Sequence, residues 1–580
     1  MLLRILSANT VKLSKPPNVV GYIHGIDNWT IQWPPLPDAV TSTASKLSPH
    51  PPTEAEITKN DDRVDKLNQE NLQLYHKLVD SLCDLVERED SLHWLHYNTS
   101  LTMLCVMIRS DVLLPARPVN IFTNNLLHDN IMVRKASLHV IDCVLKQHKR
   151  KHIKMKLKQE TNKDGQNGVN GHGDDRVVNG LVVKPGERED NKWLQYSSDN
   201  KPLDQKSFDE PRYSHKAYYG YYSWPDEEII YAPLSQQPNI DRLEEDMPES
   251  EKIVFRFFQD DKNISKLVDF LSLENKKGKD HFEIERFGMY KALFRNFGDS
   301  FLPKLRPHIE RLVADHRESH QRAASELIAG VIRGCKHWSY DKVEAMWGWV
   351  VPAIRQALTK VAPETIRDWG TCFATSSDNR DPNRLHWLME VAMEEPIRSQ
   401  GSFIDCSRMY ILQGVVAQQR WRVGELLHRL LTFLKPFLNH PYHNVRSRLG
   451  AVLTNIFAFD VDFDNFGNAN KSSPHEEDFI KETLPLLSSL QETNSGSASS
   501  EEKESAQRLL QTLSKWISSS SASHVSSVQS SIFSFLPYLL GYEWFDKDPQ
   551  LARDCQASLS CLSRSQHTRE SIMVLRNEIL

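Results

Sequence analysis

Apolar residues recur along this chain at intervals of three and four, the period of a helix with one buried face. Val133, Ala136, Val140, Ile141 and Val144 fall on one such face. Leu449, Val452, Leu453, Ile456 and Phe457 form a second stripe. Val343, Met346, Trp347, Val350, Val351 and Ile354 form a third, with Pro352 inside it as an expected kink. Strand-like alternation is scarce, so the pattern predicts an all-α chain.

Three stretches share a finer layout: an apolar helix, a short polar turn, then an apolar helix that opens on a basic residue. They span 121–145, 305–332 and 425–457. Repeated helix pairs of this kind predict a HEAT-repeat α-solenoid, a surface for binding rather than a pocket for chemistry. In the turns, Asp129, Asp315 and Asn439 are expected to accept hydrogen bonds from the unpaired N–H groups that open the second helix. Arg134, Arg322 and Arg446 are expected to reach carbonyls or carboxylates of a neighbouring repeat with their planar donor fork. These arginines lie 188 and 124 residues apart, which divides into four and three units of roughly 40–47 residues, the HEAT period.

The helical blocks are interrupted. Residues 1–61 are rich in Pro, Ser and Thr and read as irregular, with HEAT-like helices over 62–158. The Gly/Asn/Asp-rich stretch 159–192 reads as a disordered loop, because it has few large apolar groups to offset ordering entropy. Residues 193–249 hold many tyrosines and tryptophans without helical period and read as an extended strap over a helical wall. HEAT-like helices follow over 250–464, a polar linker with a short helix over 465–504, and further helices over 505–580 in an array that looks truncated.

Composition narrows the class. The 580 residues carry a net charge of −5 and are 39% hydrophobic, which argues against whole-molecule binding to nucleic acid or membrane. None of the eight cysteines forms a C-x-x-C pair, so they read as reduced, buried thiols of an intracellular protein. No apolar run approaches the roughly 20 residues that span a bilayer, and the N-terminus lacks the pattern of a signal peptide.

A search for catalytic chemistry finds no phosphate loop, no H-E-x-x-H and no G-x-S-x-G. His316 and His320 share helical spacing with a zinc pair, but Arg317 crowds them with positive charge. No catalytic or metal site is expected. The sharpest local charge feature is KQHKRKHIKMKLK at 146–158, with Lys146, Lys149, Arg150, Lys151, Lys154, Lys156 and Lys158 and no acid. A solvated helix end, a nuclear-localisation signal and a polyanion site all fit it.

Several long runs carry a more specific signal: NLLHDNIMVRKASLHVIDCVLKQHKR, YYGYYSWP, FLSLENKKGKDHF, FRNFGDSFLPKLRPHIERLVADHRESHQRAASELIAGVIRGCKHW and YILQGVVAQQRWRVGELLHRLL. Over about 90–460 the chain closely resembles the proteasome activator complex subunit 4 family, giant HEAT-repeat activators of the core proteasome. The resemblance implies a non-catalytic segment of a cap on the α-ring of the core (20S) proteasome, in nucleus and cytoplasm. It implies ATP- and ubiquitin-independent degradation of peptides and acetylated histones, linked to DNA repair and sperm development. It further implies inositol polyphosphates held in basic openings, for which Lys149, Arg150 and Lys151 are candidates by charge alone. No required cofactor, membrane or direct nucleic-acid partner is expected, and acetylated histones would be met by a family region outside this chain. The chain is far shorter than a full family member and ends Arg576-Asn577-Glu578-Ile579-Leu580 rather than in the family's Tyr-Tyr-Ala-like tail, which points to a fragment. The alternative is a generic HEAT scaffold or transport receptor.

Overall fold

The computed structural model of the chain describes residues 54–88, 93–108, 112–158, 176–178, 181–183, 201–209, 227–273, 281–378, 382–394, 402–419, 423–457, 476–483 and 499–519, with isolated positions at 474, 485, 549, 552, 553 and 556. In chain order the elements are α1 (Glu54–Val86), α2 (Trp94–Met107), α3 (Ala116–Asn124), α4 (Ile131–Gln147), β1 (Lys154–Lys158), β2 (Arg176–Val178), β3 (Leu181–Val183), α5 (Gln205–Asp209) and β4 (Glu227–Tyr231). Then follow α6 (Glu249–Gln259), α7 (Asp261–Leu271), α8 (Ile284–Phe297), α9 (Leu302–Ala314), α10 (Glu318–Gly334), α11 (Tyr340–Leu358), α12 (Ile366–Ser377) and α13 (His386–Met393). The last are α14 (Ser402–Gln419), α15 (Gly424–Leu434), α16 (His443–Ile456), α17 (Glu476–Thr483) and α18 (Ser500–Ser519). The described residues of 54–151 and 238–338 form one unit, and those of 152–237 and 339–580 form another.

In the first unit the second helix of each pair stacks on the next: α4 packs on α8, and α8 on α10. Val133, Val140, Ile141 and Val144 of α4 are all buried, while Ala136 is half-buried. The α8–α10 contact is close because α10 carries Gly330 and Gly334 one turn apart. A Cβ at Gly330 would stand 2.5 Å from the Cβ of Tyr290, and one at Gly334 would strike Phe294. Phe255, Phe258, Phe297 and Phe301 cluster at the α6–α8–α9 junction with ring centroids 5.2–5.7 Å apart, the tilted and edge-on spacing that aromatic quadrupoles favour.

The second unit repeats the arrangement, with α12 on α14, α14 on α16 and α16 on α18. Gly370 of α12 lies directly under the Tyr410 ring of α14, again a backbone approach that no Cβ would permit. The stripe Leu449, Val452, Leu453, Ile456 and Phe457 is buried throughout. Helix α11 continues through Pro352 without a break.

Four sequence expectations need correction. The helical block over 62–158 ends at Gln147, and Lys154–Lys158 is a strand that pairs antiparallel with Glu227–Tyr231, Lys154 opposite Tyr231. That strand replaces part of the irregular strap, which also contains α5. The loop at 159–192 contains a strand pair, Arg176–Val178 against Leu181–Val183. The Asn179-Gly180 dipeptide between them is a hairpin signal that the Gly/Asn-rich composition obscured. Helix α1 starts at Glu54, inside the stretch read as irregular, just after Pro51-Pro52. The rest of 1–61, most of 159–192 and nearly all of 520–580 lie outside the described residues.

Candidate polyanion-binding groove

The repeat turns show what their polar residues do. Arg134 is buried, and its Nη1 donates to the carbonyls of His128 and Asp129 at 2.7 and 2.8 Å. Arg446 does the same to His440 and Pro441 at 2.6 and 2.9 Å. Both arginines therefore close their own turn, and Arg446 also reaches the next repeat, as the sequence reading expected, with its Nη2 donating to Gln511 Oε1 of α18. At the third turn Gln321 takes this place, donating from Nε2 to the carbonyls of Asp315 and Val313 at 2.5 and 3.0 Å. Arg322, one residue later, is the arginine that reaches a preceding pair, donating to the carbonyl of Leu273 at 3.0 Å.

The expected turn acceptors divide. Asp315 Oδ1 accepts from the Arg317 N–H at 2.9 Å. The Arg317 guanidinium beside it holds its carboxyl far below the ordinary range. At the first turn the acceptor for the opening helix is Asn130, not Asp129: its side chain accepts from Met132 N–H at 2.9 Å. Asn439 donates to Ser505 Oγ instead, and α16 begins without a side-chain cap.

A buried ionic network ties α8 to α10. Glu326 is 1% exposed and lies between Arg286 at 3.6 Å and Arg322 at 3.9 Å, while accepting the Glu283 N–H at 2.8 Å. Both arginines also approach the carbonyl of Leu271, at the C-terminus of α7. Burial raises the Glu326 carboxyl to about 7 against the opposing pull of Arg286.

The basic run is divided by the fold. Lys146 and Lys149 line a groove of about 660 Å³ between α4 and α8, where Lys291 and Arg295 face them. Lys291 and Arg295 lie four residues apart on α8 and so share a face. Their spacing in the sequence was the signal for them, and the sequence reading missed it. Asp142 and Glu285 are the acids of the lining. Asp142 Oδ2 accepts from Lys146 Nζ at 2.6 Å, and a Cβ at Gly288 would meet that oxygen at 3.0 Å. Asn296 Nδ2 donates to the Leu145 carbonyl at 2.6 Å and so holds the end of α4 against α8. Four cations against two carboxylates leave the groove positive.

Arg150 lies elsewhere. Its two terminal guanidinium nitrogens are buried and have no hydrogen-bond partner among the described residues. Burial, and then repulsion from Arg242, push its pKa down to about 10. The carboxylates of Glu251 and Asp241 act in the opposite direction. Lys151 is exposed, and Lys154, Lys156 and Lys158 belong to β1 in the other unit. Of the basic run, only Lys146 and Lys149 line the groove, whereas Arg150, Lys151 and 154–158 are not among its lining residues.

The remaining sequence candidates have plain placements. The His320 ring is buried, with Nδ1 3.0 Å from Asp315 Oδ2. Cys143 Sγ lies 3.7 Å from His139 Nε2, and burial raises the pKa of this thiol. No described helix is long and apolar enough to cross a membrane.

A family model described as proteasome activator complex subunit 4-like, HEAT repeat-like, matches residues 117–414. The proteasome activator complex subunit 4 of Bos taurus is 39% identical over 523 residues, 88% of this chain and 28% of that protein. The same-named protein of Xenopus laevis is 38% identical over 577 residues, 97% of this chain and 30% of that protein. That of Homo sapiens is 39% identical over 516 residues, 87% of this chain and 27% of that protein. The chain thus spans less than a third of the length of these relatives. A solved structure of importin beta aligns with 98% of this chain and 78% of that one at 11% identity and a TM-score of 0.26. The helix pairs in the matched stretch are HEAT-type repeats, and the fold class is the all-α solenoid that the turn pattern predicted, with two short strand pairings added to it.

Proposed function

The chain belongs to the proteasome activator complex subunit 4 family, and from that premise we propose that it is a wall segment of a proteasome activator. In this reading the segment binds and does not catalyse. Within each unit the stacked helix pairs present a binding face, and the protein that carries them caps the core (20S) proteasome on its α-ring. The activity promoted is hydrolysis of peptides and acetylated histones without ATP or ubiquitin, in nucleus and cytoplasm, with roles in DNA repair and spermatogenesis. The observation that carries the reading is the family match over 117–414, which includes two of the three helix–turn–helix units described above.

The groove between α4 and α8 adds a ligand class to this proposal. Lys146, Lys149, Lys291 and Arg295 would hold an inositol polyphosphate through its phosphate oxygens. Such a ligand would bridge two helices contributed by different pairs, so its binding stabilises the folded array by mass action.

The test is direct. Purified core proteasomes are mixed with the chain, and association is followed by co-sedimentation while a fluorogenic peptide reports hydrolysis. Association with the core particle is expected. Absence of association, with no change in peptide hydrolysis when the natural protein carrying this segment is added, would sink the reading.

A further inference from the structure

Helix α5 has only five residues, Gln205–Asp209, too few to persist as an isolated helix. It is held from within and from without. Asp204 Oδ1 accepts the Ser207 N–H at 2.7 Å, and Ser207 Oγ accepts the N–H groups of Leu203 and Asp204 at 2.9 and 3.0 Å. These bonds make a self-capped turn. One large side chain then leaves it for the body of the unit: Phe208 is 3% exposed, while its neighbours Lys206 and Ser207 face solvent.

The receiving surface reads both the ring and the backbone that carries it. The Arg384 guanidinium lies 3.5 Å from the Phe208 ring centroid, and its Nη2 donates to the Phe208 carbonyl at 2.9 Å. The same nitrogen is 4.0 Å from Asp209 Oδ1. Tyr340 meets the Phe208 ring edge-on at 5.8 Å. The Tyr340 N–H, at the opening of α11, donates to Gln205 Oε1 at 2.7 Å. Lys201 Nζ pairs with Glu390 of α13 at 3.0 Å. One arginine thus recognises an aromatic face, a carbonyl and a carboxylate together. That combination is the chemistry by which short linear peptides are read.

We propose that the surface formed by Arg384 and Tyr340 is a peptide-recognition site, occupied in cis by the Phe208–Asp209 turn. Its ligand class is a short helical-turn peptide bearing an aromatic residue followed by an acidic one. The cis segment is tethered to its site, so its effective concentration is of the order of millimolar. A partner peptide of the same chemistry binds only as far as it displaces that turn. This proposal does not depend on the proteasome reading.

A fluorescein-labelled peptide of residues 200–210 serves as the probe in polarisation titrations against the whole chain. The Phe208→Ala chain is expected to bind it at least ~10-fold more tightly than the wild-type chain, because the tethered competitor is removed. Adding Arg384→Ala to Phe208→Ala should abolish that gain, and a probe with Ala in place of its Phe should not bind. Equal binding by wild-type and Phe208→Ala chains, or binding indifferent to Arg384→Ala, overturns the proposal. Where Phe208→Ala fails to fold, hydrogen exchange in the wild-type chain decides. Excess peptide should accelerate exchange at the amides of 205–209, and unchanged exchange overturns the proposal.

Discussion

The Arg446 guanidinium closes on the carbonyl of His440, six residues before it, at 2.6 Å. Arg134 stands in the same relation to His128, and Gln321 to Asp315. The shared element of the three turns is thus a buried side chain that donates to a carbonyl six residues back, not an arginine as such. Arg322 looked like the third arginine because it follows Gln321 directly, but its donors serve the preceding helix pair instead.

That relation predicts an unusual order of substitutions. Arg134→Ala or Arg446→Ala should destabilise its unit by about 2–4 kcal/mol, because buried turn carbonyls lose their donors and a cavity opens. Arg446→Gln should lose clearly less, since Gln321 performs the same task with an amide. Urea unfolding of the three variants checks it. Equal losses for Ala and Gln would show that charge, not carbonyl pairing, matters.

Glu326 lies within ion-pairing distance of Arg322, and it is shared with Arg286. Glu326→Ala should cost about 3–5 kcal/mol, because it removes a buried counter-charge from Arg322 and leaves Arg286 with Glu283 alone among the described residues. Denaturant midpoints at slightly alkaline pH measure it, where the carboxylate of the wild type is ionised.

Two glycines give opposite expectations from one substitution. Gly330→Ala forces a methyl into the Tyr290 side chain, 2.5 Å away, and should cost about 1–3 kcal/mol by overpacking. Gly348→Ala, on the exposed side of α11, meets nothing within 4 Å. It should be neutral or stabilise by up to about 1 kcal/mol through helix propensity. Differential scanning calorimetry of the two variants distinguishes them.

A half-buried histidine and a fully buried glutamate predict opposing pH slopes. Burial holds the His148 imidazole below its ordinary pKa, with Nε2 2.8 Å from Ser250 Oγ. The unfolded chain therefore takes up its proton first, and the stability due to neutral His148 is lost as pH falls through about 6.5. Glu326 is held protonated up to about 7 against a usual 4.5, so its contribution rises as pH falls across that window. Melting temperatures between about pH 8 and pH 5 should show His148→Gln flattening the acid-side loss and Glu326→Gln removing the opposing gain.

The groove predicts a ligand effect with a charge signature. Inositol hexakisphosphate should raise the melting temperature of the chain, and the shift should shrink as salt is added. Lys149→Glu combined with Lys291→Glu should weaken binding by at least ~10-fold, as expected when phosphate contacts are lost. Lys156→Glu should leave binding unchanged, because Lys156 belongs to β1 and not to the groove. Calorimetric titration of the three chains tests this, and equal affinities would remove the groove from the proposal.

The parts legible in sequence were those carried by neighbours along the chain. The stripes in α4 and α16 repeat within two turns of helix, and their burial followed from that period alone. The three turns were also located correctly, because a polar turn between apolar helices is a local pattern. The family resemblance sharpened this, since long matching runs surround the first two turns.

What the sequence by itself determined, then, is the fold class, the helix faces and the family, because each is written in residues a few positions apart. Only the tertiary structure decided what the charged residues do. It placed Lys149 and Lys291 in one groove, left Arg150 out of it with its guanidinium nitrogens buried, and drew Lys154–Lys158 into a strand with Glu227–Tyr231. It also gave Gln321 rather than Arg322 the turn-closing role. Each of these depends on which distant segment supplies the facing atoms, and no local periodicity records that choice.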